Sequence, residues 1–273
     1  MNLLFNPVSA RALDALKNKL PQSLLLHGVP GVGLATAAKW LAGSELADFL
    51  SPQDAKGQHS ASGTISVEMI RSLYEQTRSR SKRRQIVIID DADRMSKNAS
   101  AAFLKLLEEP GSNIHFILTS HRPQLLLATI RSRVQQTAIL PISAEQTREY
   151  IISLGITDAT KTAQLEFLAK GLPAEISRLA SSDATFAENA QIINDARTLL
   201  QAKPYEQLLL IHTYKQDRPR TLQLIDAALT ILRRSLSTQP QPTTVRHIQK
   251  LLATREAINA NGNAALQLAR FVV

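Results

Sequence analysis

The chain has no cysteine in its 273 residues. Disulfides and cysteine-ligated zinc are therefore excluded. Its six histidines are scattered, without HExxH or any paired spacing, so no other metal site is indicated. Long apolar runs are missing as well. Nothing approaches the roughly 18 uncharged apolar residues of a membrane span. The opening MNLLFNPVSARALDALKNKL lacks the apolar core and small-residue cleavage site of a secretory signal. A cytoplasmic protein with no membrane partner is the expectation. Internal repeats and extended low-complexity tails are absent too.

What is present is enough to build cores. Apolar residues make up 44% of the chain, which argues against general disorder. The length suits one large domain or two to three small ones. A formal net charge of +9 points toward a polyanionic partner, although many soluble proteins are as basic.

The first half alternates strand and helix patterns. Ala10, Leu13, Leu16 and Leu20 predict a helix over 8–19. SLLLHG then reads as a buried strand, followed by a glycine-rich loop and a helix from about Thr36 to Ala42. Gly43–Gly63, rich in Ser, Gly, Asp and Gln, reads as a surface insertion. A helix over 66–77, the strand RQIVIID, the helix SKNASAAFLKLLEEP, and the strands HFILTS and TAIL (137–140) follow. This order predicts an α/β domain with a mainly parallel sheet. Beyond Leu140 the strands stop. Three short helical patterns occupy 143–182, broken at Gly155 and at Gly171-Leu172-Pro173. From about Phe186 everything is helical, with a connection STQPQPTTV at 237–245. Leu222, Leu224, Ile225, Ala228, Leu229, Ile231 and Leu232 surround most of one helix, a coverage that suggests burial on more than one side.

The loop HGVPGVGLAT matches a phosphate-binding pattern in part. Gly28 and Gly33 fall where that pattern needs them, and Gly31 adds a third glycine. Glycines let backbone N–H groups wrap an anion at a helix N-terminus. They equally suit a tight turn that lets sheet and helix pack closely. Leu34 stands where a lysine would reach the phosphates, and Ala35 where a hydroxyl would hold magnesium. Thr36 comes one residue too late. Further on, IVIIDDAD puts Asp90 and Asp91 beyond an apolar strand, as in a magnesium-orienting segment. The second acid there is normally glutamate, and Asp91 is a methylene shorter. RSRSKRR (78–84) carries Arg78, Arg80, Lys82, Arg83 and Arg84, a cluster suited to backbone phosphates. No aromatic interleaves it, so base stacking is not indicated. A solvated loop would look the same.

The ordered set GVPGVGLAT, IVIIDDADRM, ASAAFLKLLEEP, FILTSHRPQLLLATIRSRVQ and NANGNAALQL is more specific than any one motif. It resembles the delta-prime subunits of the bacterial DNA polymerase III clamp loader, an AAA+ family. The resemblance implies an AAA+ P-loop-type domain over 1–140, a small helical lid over 141–183, and an all-α collar over 184–273. It implies a non-hydrolysing, stator-like subunit inside a complex with ATPase and DNA polymerase activity. In its own site Gly28, Gly31, Gly33, Leu34, Ala35, Asp90, Asp91 and Thr119 would be vestigial, and no cofactor is expected there. Arg133, in Ser132-Arg133-Val134, would serve as an arginine finger for ATP and magnesium held by a neighbouring subunit. Arg131 is the arginine most easily mistaken for it. An expected second sensor arginine is missing near Ala174. The family's four-cysteine zinc module is also absent, its place taken by Gly43–Gly63. Partners implied are other loader subunits in a hetero-oligomer, a sliding clamp and primer-template DNA. Two readings remain beside this one. One is a catalytically active loader ATPase, against which Leu34 and Ala35 speak. The other is a free-standing nucleic-acid-binding P-loop protein, suggested by the charge and the basic loop.

Overall fold

The computed structural model describes residues 4–60, 63–77, 84–111 and 113–272. The chain divides into two compact units, Met1–Ser181 and Ser182–Val273. In the first, α1 (Pro7–Asn18), β1 (Ser23–His27), α2 (Leu34–Ala42), β2 (Leu46–Leu50), α3 (Val67–Thr77) and β3 (Gln85–Ile89) come in order. They are followed by α4 (Lys97–Glu108), β4 (Ile114–Ser120), the single turn α5 (Ala128–Arg131) and β5 (Gln135–Ala138). Three helices close the unit: α6 (Ala144–Ser153), α7 (Ala159–Ala169) and α8 (Pro173–Ala180). What the sequence reading sets apart as a lid therefore lies in the same compact unit as the sheet.

The five strands run parallel in the order β2-β3-β4-β1-β5. The three central strands are apolar at nearly every position because both faces of the sheet are covered. Their alternating side chains divide cleanly. Leu25, Val87, Ile89, Phe116 and Leu118 enter a core with Phe103 and Leu106 of α4. Leu24, Leu26, Ile86, Ile88 and Ile117 enter the opposite core, with Leu13 and Leu16 of α1 and Leu34, Ala38 and Leu41 of α2. That is the period of two expected of strands. It makes three layers with the carboxyl ends of β1, β3 and β4 side by side.

Two sequence expectations need correction here, and both concern sheet edges. Gly43–Gly63 is not wholly an insertion, since β2 arises inside it and pairs with β3. Its residues LADFL are mixed in polarity because an edge strand is half exposed, so no apolar run announced it. At the other edge β5 is Gln135–Ala138 rather than 137–140, and it too is mostly exposed. The apolar Ile139 lies just past the strand, its N–H donating to the His27 carbonyl at 2.8 Å.

The second unit contains α9 (Asp183–Gln201), α10 (Pro204–Tyr214), α11 (Arg218–Thr238), α12 (Pro242–Asn259) and α13 (Ala264–Val272). Helix α11 is its centre: Leu224, Ile225, Ala228, Leu229 and Leu232 are buried with Ala196 and Leu199 of α9 and Leu251 and Ile258 of α12. Its wide apolar coverage is thus used within its own unit. Exposed apolar side chains lie instead on α10 (Tyr205, Leu208, Leu209) and on α13 (Leu266). The connection read at 237–245 shrinks to Gln239–Gln241, because Pro242 opens α12 in the first turn, where a missing N–H and a fixed φ suit a helix.

Candidate functional site

The glycine-rich loop links β1 to α2. At Gly28 an added Cβ would lie 2.5 Å from the Ile139 carbonyl oxygen, so the loop leaves the sheet too close to the neighbouring backbone for any side chain. Gly31 and Gly33 have φ of 85° and 95°, the left-handed region that glycine enters without steric penalty. Gly33 caps α2, and the next residue, Leu34, turns into the core with 2% of its surface exposed. Ala35 is half-buried and Thr36 exposed. Where the pattern has a lysine and a hydroxyl, the loop therefore presents backbone and no cation. The carbonyl of Gly31 accepts from the Ala174 N–H at 3.3 Å, which brings the first turn of α8 against the loop. Beside it a cleft of about 240 Å³ is lined by Phe5, Val32, Thr36, Tyr150 and Pro173, with Tyr150 Oη and Ser177 Oγ 2.8 Å apart on one wall.

The acidic strand end is tied to β4. Thr119 Oγ1 donates to Asp90 Oδ1 at 2.6 Å and accepts from the Asp91 N–H at 2.9 Å. Its hydroxyl, with its one proton given to Asp90, links the end of β3 to β4. Asp91 has φ of 48°, a conformation that aspartate tolerates better than most residues. Burial, then the charge of Asp90, raises its carboxyl above the ordinary aspartate value, while His121 acts the other way. His121 reaches across the site, with Nδ1 2.9 Å from the Gly28 carbonyl and Nε2 3.7 Å from Asp91 Oδ1.

Sequence reasoning brings together Gly28, Asp90, Asp91 and Thr119, and the structure gathers them. It misses two residues that complete the cluster. In the sequence His121 merely follows Thr119 by two positions, yet in the fold it links the loop to the acidic end. Asp93 accepts from Ser120 Oγ at 2.7 Å and from Arg122 Nε at 3.2 Å. The third acid of DDAD and the Ser-His-Arg run at the end of β4 were the available signals.

The two arginines near α5 part company. Arg131 turns inward, its Nε buried with no hydrogen-bond partner among the described residues. Arg133 lies just past the end of α5 with its side chain 40% exposed. Its Nη1 donates to the Thr129 carbonyl at 3.1 Å and its Nη2 to Glu108 Oε1 at 3.0 Å. Ser132 Oγ donates to the same Thr129 carbonyl at 3.0 Å, so the Ser-Arg pair together satisfies one carbonyl of a one-turn helix. Val134 is buried in the core. Of the basic cluster only Arg84 lies within the described residues; Arg78, Arg80, Lys82 and Arg83 fall outside them. The Nε of Arg84 donates to Glu45 at 2.7 Å, ahead of β2. Among the described residues no group of three or more His, Asp or Glu is placed to hold a metal ion, and no helix is long and apolar enough to cross a membrane.

Comparison with known proteins bears on the family resemblance and the fold. The family model described as DNA polymerase III, delta subunit, matches residues 10–143. DNA polymerase III subunit delta' of Pseudomonas aeruginosa is 34% identical over 119 residues, 43% of this chain and 36% of that protein. Its counterpart in Bacillus subtilis is 30% identical over 120 residues, 44% and 36% respectively. The matched part thus spans little more than a third of these relatives. A DNA polymerase III gamma subunit-related protein of Thermotoga maritima superposes with a TM-score of 0.50 at 18% identity, covering 95% of this chain and 97% of that one. At that identity the likeness speaks for the fold alone. The resemblance to delta-prime subunits and the AAA+ fold class, with its helical carboxyl-terminal region, are borne out.

Proposed function

We infer that this chain, similar over residues 10–143 to delta-prime subunits, is a non-hydrolysing, stator-like member of a DNA polymerase III clamp loader. It lends Arg133 to ATP and magnesium bound by a neighbouring subunit and helps seat a sliding clamp on primer-template DNA in the cytoplasm. The observation that carries this reading is the contrast at its two helix ends: Leu34 is packed into the core, while the guanidinium of Arg133 stands at the surface.

The chain's own site does not fit magnesium-ATP turnover. No cation replaces the lysine, Ala35 offers no hydroxyl for a metal, and Thr119 already spends its hydroxyl on Asp90. Arg133 does fit its role. A planar fork makes bidentate contacts with phosphoryl oxygens that an ammonium cannot copy. Supplied from one subunit to another, it meets charge developing on the transferring group and accelerates the reaction roughly 10³–10⁵-fold. The basic run ending at Arg84 remains a proposed contact for DNA phosphates.

Steady-state ATP turnover by the reconstituted complex tests this. Arg133→Ala should abolish the contribution of the adjacent site while folding and assembly stay intact, and Arg133→Lys should rescue poorly. The control is Arg148→Ala, because Arg148 is another exposed arginine paired with a glutamate, Glu166 at 2.8 Å. Arg131 cannot serve, since its Nε is buried. Unchanged turnover for Arg133→Ala at equal assembly would remove the finger and leave a scaffold.

A further inference from the structure

The fork of Arg133 is not loose. Two of its N–H groups are fixed on its own chain, one by the Thr129 carbonyl and one by Glu108. Arginine carries five such donors, so the remaining ones, without a partner among the described residues, are left for an anion. Glu108 is the last residue of α4, where the helix end already bears partial negative charge. A carboxylate there is poorly placed unless a cation answers it. Arg133, arriving from α5, supplies that cation. The pair is open to solvent, with the Glu108 side chain 53% exposed, and exposed ion pairs of this kind add little to stability. Its consequence is directional: it decides where a long, otherwise mobile side chain points.

We propose that Glu108 is the positioning residue for Arg133, holding the fork oriented so that its free donors meet a neighbour's phosphoryl group. The proposal rests on the reading of Arg133 as a group acting in trans. Glu108 touches neither nucleotide nor metal; it acts only through Arg133. Misplacement of a catalytic group by about 1 Å can cost up to two orders of magnitude in rate, so losing one of two tethers is a kinetic matter even where stability hardly changes.

The experiment is a double-mutant cycle in the reconstituted complex, reading kcat and KM for ATP, with assembly checked by size. Glu108→Ala should lower the Arg133-dependent part of kcat roughly tenfold, with KM little changed. Glu108→Gln should recover most of that loss, since an amide oxygen still accepts from Nη2. Glu108→Ala with Arg133→Ala should be no slower than Arg133→Ala alone, because the tether has nothing left to hold. A silent Glu108→Ala beside a damaging Arg133→Ala overturns the tether and leaves the finger standing. So does a double variant whose losses multiply. If Arg133→Ala itself is silent, the underlying reading fails and this inference fails with it.

Discussion

Leu34 and Arg133 sit at opposite kinds of helix end within one compact unit. Leu34 is the first residue of α2, at the positive end of a helix, where an anion is welcome. Arg133 follows the single turn α5 and meets Glu108 at the negative end of α4, where a cation is welcome. The fold's electrostatics are used at one end and unused at the other. At α2 the glycine-rich loop, with Gly31 and Gly33 at positive φ, leads into a helix whose first side chain, Leu34, lies in the core. Just past α5 the arginine side chain matches the end of α4, is tethered by Glu108 and stays at the surface. At one helix end the side chain is committed to packing, and at the other an arginine stays at the surface at little cost to packing.

Removing each side chain should separate these roles. Leu34→Ala deletes a buried side chain from a cluster with Leu13, Leu24 and Ala38. It should cost roughly 2–5 kcal/mol. For a unit of this size each kcal/mol lowers Tm by about 2–4 °C, so calorimetry would see it readily. A cost below about 1 kcal/mol would mean that Leu34 is not built into the core after all.

A smaller cost, about 1–3 kcal/mol, is expected for Leu34→Lys with Ala35→Thr, because a lysine stem can stay on the apolar surface while its ammonium reaches water. This pair should gain binding of magnesium-ATP, measured by titration, yet turn it over slowly. The Thr119 hydroxyl remains bound to Asp90, and Asp91 remains the shorter acid. Fast turnover would break the comparison, showing that two side chains alone separate a silent loop from an active one. Arg133→Ala should move stability least of the three, by no more than about 1 kcal/mol, since its ion pair with Glu108 is exposed.

The centre of the sheet was legible in the sequence and its edges were not. β1, β3 and β4 are buried on both faces, so SLLLH, QIVII and IHFILTS stand out as apolar runs. β2 and β5 have half-exposed, mixed residues that look like loop, and they belong to the sheet through backbone pairing, which side chains do not announce. The site divides in the same manner. Gly28, Asp90 and Asp91 could be placed because each belongs to a spacing pattern, and Thr119 because the resemblance supplied its position. His121 and Glu108 could not, because what they do depends on reaching Gly28 and Arg133 from elsewhere in the chain. Helix α11 was legible for its burial on more than one side but not for what covers it, since periodicity counts apolar faces without saying that α9 and α12 of its own unit pack there.

The mildest expected effect is at Asp91, and it depends on pH. Burial and the neighbouring Asp90 raise this carboxyl above its unfolded value near 3.8. Ionising it is therefore harder in the folded protein than in the unfolded chain. The stability associated with its protonated form is fully present below the unfolded value and is lost as pH rises through the folded one. At neutral pH the wild-type protein carries that penalty. The Asp91→Asn variant would not, since an amide has no charge to bury, and asparagine accepts the φ of 48° found there at least as well as aspartate. The substitution should thus raise Tm slightly at pH 7. The gain should shrink as the medium is acidified and vanish only well below the unfolded value of 3.8, where both states hold a neutral side chain. The loss of attraction to His121 works against the gain but ranks below burial and Asp90 among the causes. Thermal unfolding at pH 7 and at about pH 3 decides the matter. A Tm difference of the same size at both would assign the effect to backbone conformation rather than to the buried charge.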